Sequence, residues 1–280
     1  MARVAVVTDS TNGLPAEVLE KYDVRVVPLQ VVLGGRLGAD GTDVTPADVA
    51  AALRAHVSVS TSRPAPAAFA AAYAQAAEEG HDAVVSIHLS AGLCGTCDAA
   101  RAAAADAAVP VHVVDSASTA MGLGFPVLAA AEAAGGGAGA DEVSGAAVRT
   151  VARTKALFYV HSLDALRRGG RLGQAASLLG SALAVKPLLH VVDGRIALCE
   201  KVRTTNKALL RLEELAIEGV GDAPVDVAVH HLAAPEKAAQ IAASLRAALP
   251  GLASAYASEV GAVLGAHVGL GLLGVVVHRR

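Results

Sequence analysis

The groups in this sequence that could do chemistry are hydroxyls, a carboxylate, two close thiols and a glycine-flanked imidazole, gathered in four short clusters. Thr8-Asp9-Ser10-Thr11 is followed by Leu14-Pro15; its side chains suit either the cap of a following helix or a ligand loop at a strand end. Ser60-Thr61-Ser62-Arg63-Pro64 places hydroxyls ahead of a helix that Pro64 is expected to begin. Ser90-Ala91-Gly92-Leu93-Cys94-Gly95-Thr96 stands between a short apolar run and an Ala-rich segment. Glycine, small side chains and a helix start together can cradle an anion, because the first N–H groups are unpaired and the dipole favours negative charge. The fourth cluster, Gly265-Ala266-His267-Val268-Gly269-Leu270-Gly271, sets one His among glycines and apolar residues. Such a His is either a satisfied core residue or a partner for a polar ligand.

Two further patterns carry weaker signals. Cys94-Gly95-Thr96-Cys97 is a C-x-x-C, which at a helix start is the arrangement of thiol–disulfide oxidoreductases; this is the alternative functional reading. The cis-Pro loop that accompanies the motif in thioredoxin-like folds is not identifiable. Arg167-Arg168-Gly169-Gly170-Arg171 reads as a basic turn, followed by Lys186, Arg195, Lys201 and Arg203. It is either a solvated loop or a docking place for an acidic partner or a phosphate, whose oxygens the Arg fork matches. No zinc-ligand spacing and no G-x-x-x-x-G-K-[ST] accompanies these groups, so neither a metal nor a nucleotide cofactor is expected.

The elements that must position the clusters come from hydrophobic patterning. Val-rich runs at 3–7, 24–33, 83–87, 110–114 and 156–160 alternate with longer Ala-rich segments of helical spacing, as in Phe69, Tyr73 and Ala76. Strands alternating with helices predict a three-layer α/β/α domain on an open, mostly parallel sheet, with ligand loops at the carboxyl edge. Beyond residue 157 the rhythm changes. Runs at 188–192 and 195–202 flank Asp193-Gly194 and read as a hairpin. A helix over 206–219, a strand over 225–230, a helix over 235–249 and a strand over 254–258 complete a second α/β domain with a mixed sheet. The expected domains are 1–155 and 156–280, with some elements crossing over.

Composition removes several function classes. The 280 residues are 54% hydrophobic but only 2% aromatic, and 23 Lys and Arg against 26 Asp and Glu leave a net charge of −3. Without a basic field or stacking aromatics, a nucleic-acid binder is disfavoured. The three cysteines, an odd number, argue for a reducing compartment, and the run at 4–7 is too short for a secretory signal; a cytoplasmic location is expected. The stretch 260–277 lacks Asp, Glu, Lys and Arg, but His267 and five glycines break it, so a turn and a core strand over 272–277 are expected rather than a membrane span.

Taken in order, the clusters resemble the DegV family of bacterial fatty-acid-binding proteins over essentially the whole chain. The resemblance rests on Thr8-Asp9-Ser10-Thr11 with Leu14-Pro15, Thr61-Ser62-Arg63-Pro64, the S-x-x-L-S-G-T-like loop 90–96, Val114-Asp115-Ser116 and the M-G-x-G at 121–124. It continues with the L-x-x-L-x-x-G-G-R at 163–171, Val185-Lys186-Pro187, Lys201-Val202-Arg203 and the glycine-flanked His267. The resemblance implies two α/β domains holding one long-chain fatty acid between them, with the carboxylate at Thr61, Ser62, Cys94 and Gly95, near His267. It further implies an acyl carrier and not an enzyme: a separate fatty acid kinase subunit would form the acyl phosphate. Arg168, Arg171, Lys186 and Arg203 would face that kinase or the phosphate.

Three positions depart from the family pattern: Cys94 stands for its Ser, Ala266 for the Thr before its His, and Leu270 for its Pro. A thiol is a poor donor, so exchanging a hydroxyl for Cys94 costs on the order of 1–2 kcal/mol at the carboxylate. Burying an acyl chain contributes about 0.8 kcal/mol per methylene, so roughly fifteen of them outweigh that loss severalfold. Lipid binding is therefore expected to survive the departures, with the headgroup geometry the part they touch.

Overall fold

The computed structural model describes residues 2–173 and 185–280. These fall into two compact units: the first comprises Met1–Gln30 and Ser62–Ala152, the second Val31–Thr61 and Arg153–Arg280. A single boundary near residue 155 assigns Val31–Thr61 to the first domain, whereas this segment is part of the second unit. The reason is local. The run 24–33, expected as one strand, is interrupted at Pro28, which has no N–H to continue a ladder. Residues before it join one sheet and residues after it another.

In the first unit, β1 (Val4–Asp9) lies between β2 (Arg25–Val27) and β6 (Ala83–His88), and β7 (Val111–Asp115) pairs with β6, all in parallel. Both central strands, β1 and β6, are buried at every position, which is why they read as unbroken apolar runs and not as alternating ones. α3 (Pro66–Glu78) and α4 (Thr96–Ala104) cover one face, where Phe69, Tyr73, Ala76, Ala99, Ala100 and Ala103 pack on Ala5, Val7 and Val84. α5 (Met121–Gly135) and α6 (Ala140–Val151) pack on the other, so the expected three-layer α/β/α arrangement is present. The M-G-x-G has a packing reason: a Cβ on Gly124 would lie 2.5 Å from the Asn12 carbonyl oxygen, so only glycine lets α5 approach that loop. α3 starts at Pro66 and not at Pro64, and Ser60 to Ser62 are the end of a strand.

The second unit contains a six-stranded mixed sheet in the order β10-β9-β8-β13-β11-β12. Its strands are β8 (Thr154–Tyr159), β9 (Lys186–Val192), β10 (Arg195–Val202), β11 (Val225–His231), β12 (Leu252–Glu259) and β13 (Leu273–Arg279). Only β11 and β12 run parallel. The β9–β10 hairpin forms at Asp193 and Gly194, both at positive φ (48° and 72°), as the tight turn requires. α8 (Thr205–Ile217) and α9 (Pro235–Ala248) cover one face: Leu212, Leu215, Ile241 and Leu245 pack on Leu157, Val227, Val229 and Val275. Small branched side chains at many contacts replace the aromatics that the composition lacks.

The segment Val31–Thr61 supplies β3 (Gln30–Leu33), β4 (Arg36–Ala39), α2 (Pro46–Arg54) and β5 (Val59–Ser62), with the three strands forming a sheet of order β4-β3-β5. A capping box starts α2: the Thr45 hydroxyl accepts from Asp48 N and the Asp48 carboxylate accepts from Thr45 N. The stretch 260–277, expected as a turn and a strand, also forms the short helix α10 (Ala262–Val268). Gly269 and Gly271 then turn the chain at φ 79° and 75° into β13. Among the described residues no helix is long and apolar enough to cross a membrane.

Candidate functional site

A cavity of about 630 Å³ opens in the second unit, walled by β5 with the residues before it, by α7 (Asp164–Arg168) with its following turn, and by the end of α10. At its wall Thr61 Oγ1 lies 2.7 Å from His267 Nε2, although the two residues are 206 positions apart in the chain. Burial, and next the Arg171 guanidinium, push the His267 pKa down to about 4, so the imidazole is neutral at physiological pH. His267 Nδ1 is buried without a hydrogen-bond partner among the described residues. A neutral ring that leaves no buried donor orphaned carries its proton on Nε2 and donates it to Thr61 Oγ1. The Thr61 hydroxyl proton is then available for an acceptor in the cavity.

Two glycines of the G-G-R turn serve different ends. Gly170 has φ 69°, a backbone conformation that favours glycine. Gly169 is in ordinary helical geometry, φ −74° and ψ −8°. Its missing side chain makes room: a Cβ there would lie 2.2 Å from His267 Nδ1. Arg171 is half-buried and donates to the Gly169 carbonyl, while Arg168 is exposed; both line the cavity.

The other expected site residues are placed elsewhere. Lys186 Nζ donates to the His161 carbonyl at 3.2 Å, and Arg203 is exposed ahead of α8; neither lines this cavity. Ser62, Cys94 and Gly95 belong to the first unit. There Gly95 is the N-cap of α4, and its carbonyl accepts from Ala99 N at 3.1 Å and from Arg63 at 3.5 Å. The half-buried Cys94 thiol accepts from Thr96 Oγ1 at 3.2 Å. Cys97 is fully buried, donates to the Leu89 carbonyl, and burial pushes its pKa up to about 12. A dithiol mechanism needs a thiolate at both sulfurs in turn, and this environment keeps Cys97 protonated. The environment of Cys97 does not support a thiol–disulfide oxidoreductase.

The first cluster does not supply a helix cap. Asp9 caps no helix. Its carboxylate accepts from Thr11 N and Thr11 Oγ1 (3.0 and 2.6 Å), from Leu89 N (2.9 Å) and from His88 Nδ1 (3.1 Å). His88 Nε2 is 2.7 Å from Ser86 Oγ, which is 2.8 Å from Tyr73 OH. Asp, His and Ser in that connectivity look like a hydrolytic triad. However, Asp9, Ser86 and His88 have no exposed surface at all, and the Ser86 hydroxyl is engaged on both sides, so the chain is a core network and not a nucleophile site.

Buried histidines also set a pH dependence. His230, held 3.1 Å from Ser258 Oγ, is likewise pushed down to about 4, chiefly by burial. For both His230 and His267 the folded pKa lies below the unfolded value of about 6.5, so the unfolded chain takes up protons first. The stability they permit is complete above about pH 6.5 and is lost as the pH falls toward 4. Urea midpoints should drop over that interval, and His230→Gln should flatten the drop. Equal midpoints at neutral pH and near pH 4.5 would contradict the assignment.

The fold and the cavity together define an α/β protein of two units with a hydroxyl–imidazole pair at a partly polar site. Comparison with known proteins then makes the class specific. The DegV family model matches residues 3–280, and the chain belongs to that family. A DegV domain-containing protein of Streptomyces coelicolor is 56% identical over 277 residues, covering 99% of both chains. Among solved structures, the fatty-acid-binding DegV family protein of Thermus thermophilus superposes with a TM-score of 0.92 at 32% identity, covering 99% of this chain and 100% of that one. DegV of Bacillus subtilis, also a fatty acid binding protein, gives a TM-score of 0.92 at 34% identity over the full length of both chains.

Proposed function

We propose that this chain is a cytoplasmic fatty-acid carrier that binds one long-chain acid and presents its carboxylate to a separate fatty acid kinase subunit. The observation that carries the reading is the Thr61–His267 pair at the cavity wall, with a neutral ring fixing the hydroxyl. In this reading His267 Nε2–H donates to Thr61 Oγ1, and the Thr61 O–H donates to the carboxylate, a charge-assisted bond. The binding of fatty acids by the relatives from Thermus thermophilus and Bacillus subtilis supports the ligand class. Ser62, Cys94 and Gly95 remain the further candidate carboxylate contacts. Arg168 and Arg171, at the cavity, with Lys186 and Arg203 outside it, are the candidates for facing the kinase or the phosphate.

Native mass spectrometry of freshly purified protein should show a bound long-chain acid, and apo protein should take up oleate. Thr61→Ala should weaken oleate on the order of ten-fold, the worth of one hydrogen bond to a charged group, while the acyl-chain contribution persists. Protein that carries no acid and takes up neither oleate nor palmitate rules out the carrier role. With ATP alone the chain should form no acyl phosphate, and with a bacterial fatty acid kinase subunit it should. Oleate uptake without acyl phosphate in the second mixture would remove the presentation step and leave the binding step standing.

A further inference from the structure

Helix α10 is tied at both ends by the segment Val31–Thr61. At its far end His267 meets Thr61. At its start the Asp40 carboxylate accepts from Ala262 N at 2.8 Å and from Val263 N at 3.4 Å, although Asp40 precedes them by 222 and 223 residues. Asp40 is only 4% exposed. No side chain of the helix's own flank takes this role, since Gly261 occupies the N-cap. The loop that carries Asp40 is internally fixed: Asp43 N and Val44 N donate to the Ala39 carbonyl, and Asp43 Oδ2 accepts from Ala39 N. Between the two ties, Val49 of α2 sits 3.5 Å from where a Cβ on Gly265 would stand, so α2 also braces the helix. Seven residues of helix are about 10 Å long, so a shift at the Asp40 end moves the imidazole at the other as one body.

We infer that Asp40 is a positioning residue for the Thr61–His267 pair, acting through α10 by holding the helix's first N–H groups. The inference rests on the carrier reading for its functional consequence, but the placement of the ring can be measured without a ligand. Two free N–H groups at the helix start favour a carboxylate or an amide oxygen, and removal of both oxygens leaves them buried and unpaired.

The test uses the full chain with ¹⁵N-labelled histidine, read by the ring signals of His267, together with oleate titration and thermal unfolding. Asp40→Ala should shift the His267 Nδ1 and Nε2 signals in the apo protein and weaken oleate on the order of ten-fold. Asp40→Asn, which keeps an acceptor oxygen, should restore both toward the parent. Should Asp40→Ala not fold, Asp40→Glu keeps the charge but adds a methylene, and it must shift the same ring signals. Folded variants whose His267 signals and oleate affinity match the parent overturn the inference. If the parent takes up no oleate, the carrier reading fails, and the ring signals alone still decide the role of Asp40.

Discussion

Gly169→Ala is expected to leave the chain folded while lowering oleate affinity on the order of ten-fold, the worth of one bond to a carboxylate. The added Cβ would stand 2.2 Å from His267 Nδ1 and 2.9 Å from its Cε1, and 3.3 Å from the Ala165 carbonyl oxygen. The first two distances are inside van der Waals contact, so the ring must turn or the α7 end must move. Either motion parts Nε2 from Thr61 Oγ1. Backbone strain contributes nothing here, because alanine adopts φ −74° and ψ −8° freely. The neighbouring residue provides the control. Gly170 has φ 69°, and a Cβ there meets nothing within 4 Å. Gly170→Ala should therefore cost about 1 kcal/mol of stability and leave oleate affinity unchanged. Gly169→Ala that binds oleate as the parent does would show that the ring position is immaterial to the carboxylate.

Asp9→Ala should be among the most damaging single changes in the first unit, at about 3–5 kcal/mol, or on the order of 10 °C in melting temperature. The carboxylate receives two backbone N–H groups, the Thr11 hydroxyl and His88 Nδ1, all without solvent access. Alanine leaves each of these donors buried and unpaired. It also frees the His88 ring, on which the Ser86 and Tyr73 hydroxyls depend. Tyr73 is held as a phenol by the same burial, its pKa pushed up to about 12, so it cannot compensate by ionising. Chemical denaturation of the parent and Asp9→Ala would measure the loss; a difference within about 1 kcal/mol would remove the network from the account of stability.

What could be read from the chain alone divides by range. The hairpin at Asp193 and Gly194, the buried strands β1 and β6 and helices α8 and α9 are all announced by patterns within a dozen residues. The run 24–33 reads as one strand despite Pro28, and nothing local says that the residues after the proline leave the first sheet for another. The site shows the same limit. Thr61 and His267 stand out as residue types, and only the family resemblance joined them before the structure placed them 2.7 Å apart. Asp40 carries no signal of its own: in sequence it is an acid in a Gly- and Asp-containing loop, and its partners lie more than 220 residues downstream. Gly169 reads as half of a turn, because the ring that requires its bareness comes from another element. Thr8-Asp9-Ser10-Thr11 misled in the opposite way, since hydroxyls before a helix normally mean a cap, and here the carboxylate turns inward to His88.

The departure of the chain at Pro28 has a consequence during synthesis. Every residue of the first unit has been made once position 152 leaves the ribosome, but the segment Val31–Thr61 belongs to a body that is still being translated. Thr61 waits 206 residues for His267, which at bacterial elongation rates of about 5–20 residues per second is roughly 10 to 40 s. For that interval β3, β4 and β5 hang from a nascent chain with α10 not yet made. The capping box of α2 and the self-contained loop 39–44 give the waiting segment structure of its own. Asp40 and Thr61 meet the α10 groups they contact in the finished fold only when residues 262 to 267 arrive, so this stretch is fixed against α10 last of all.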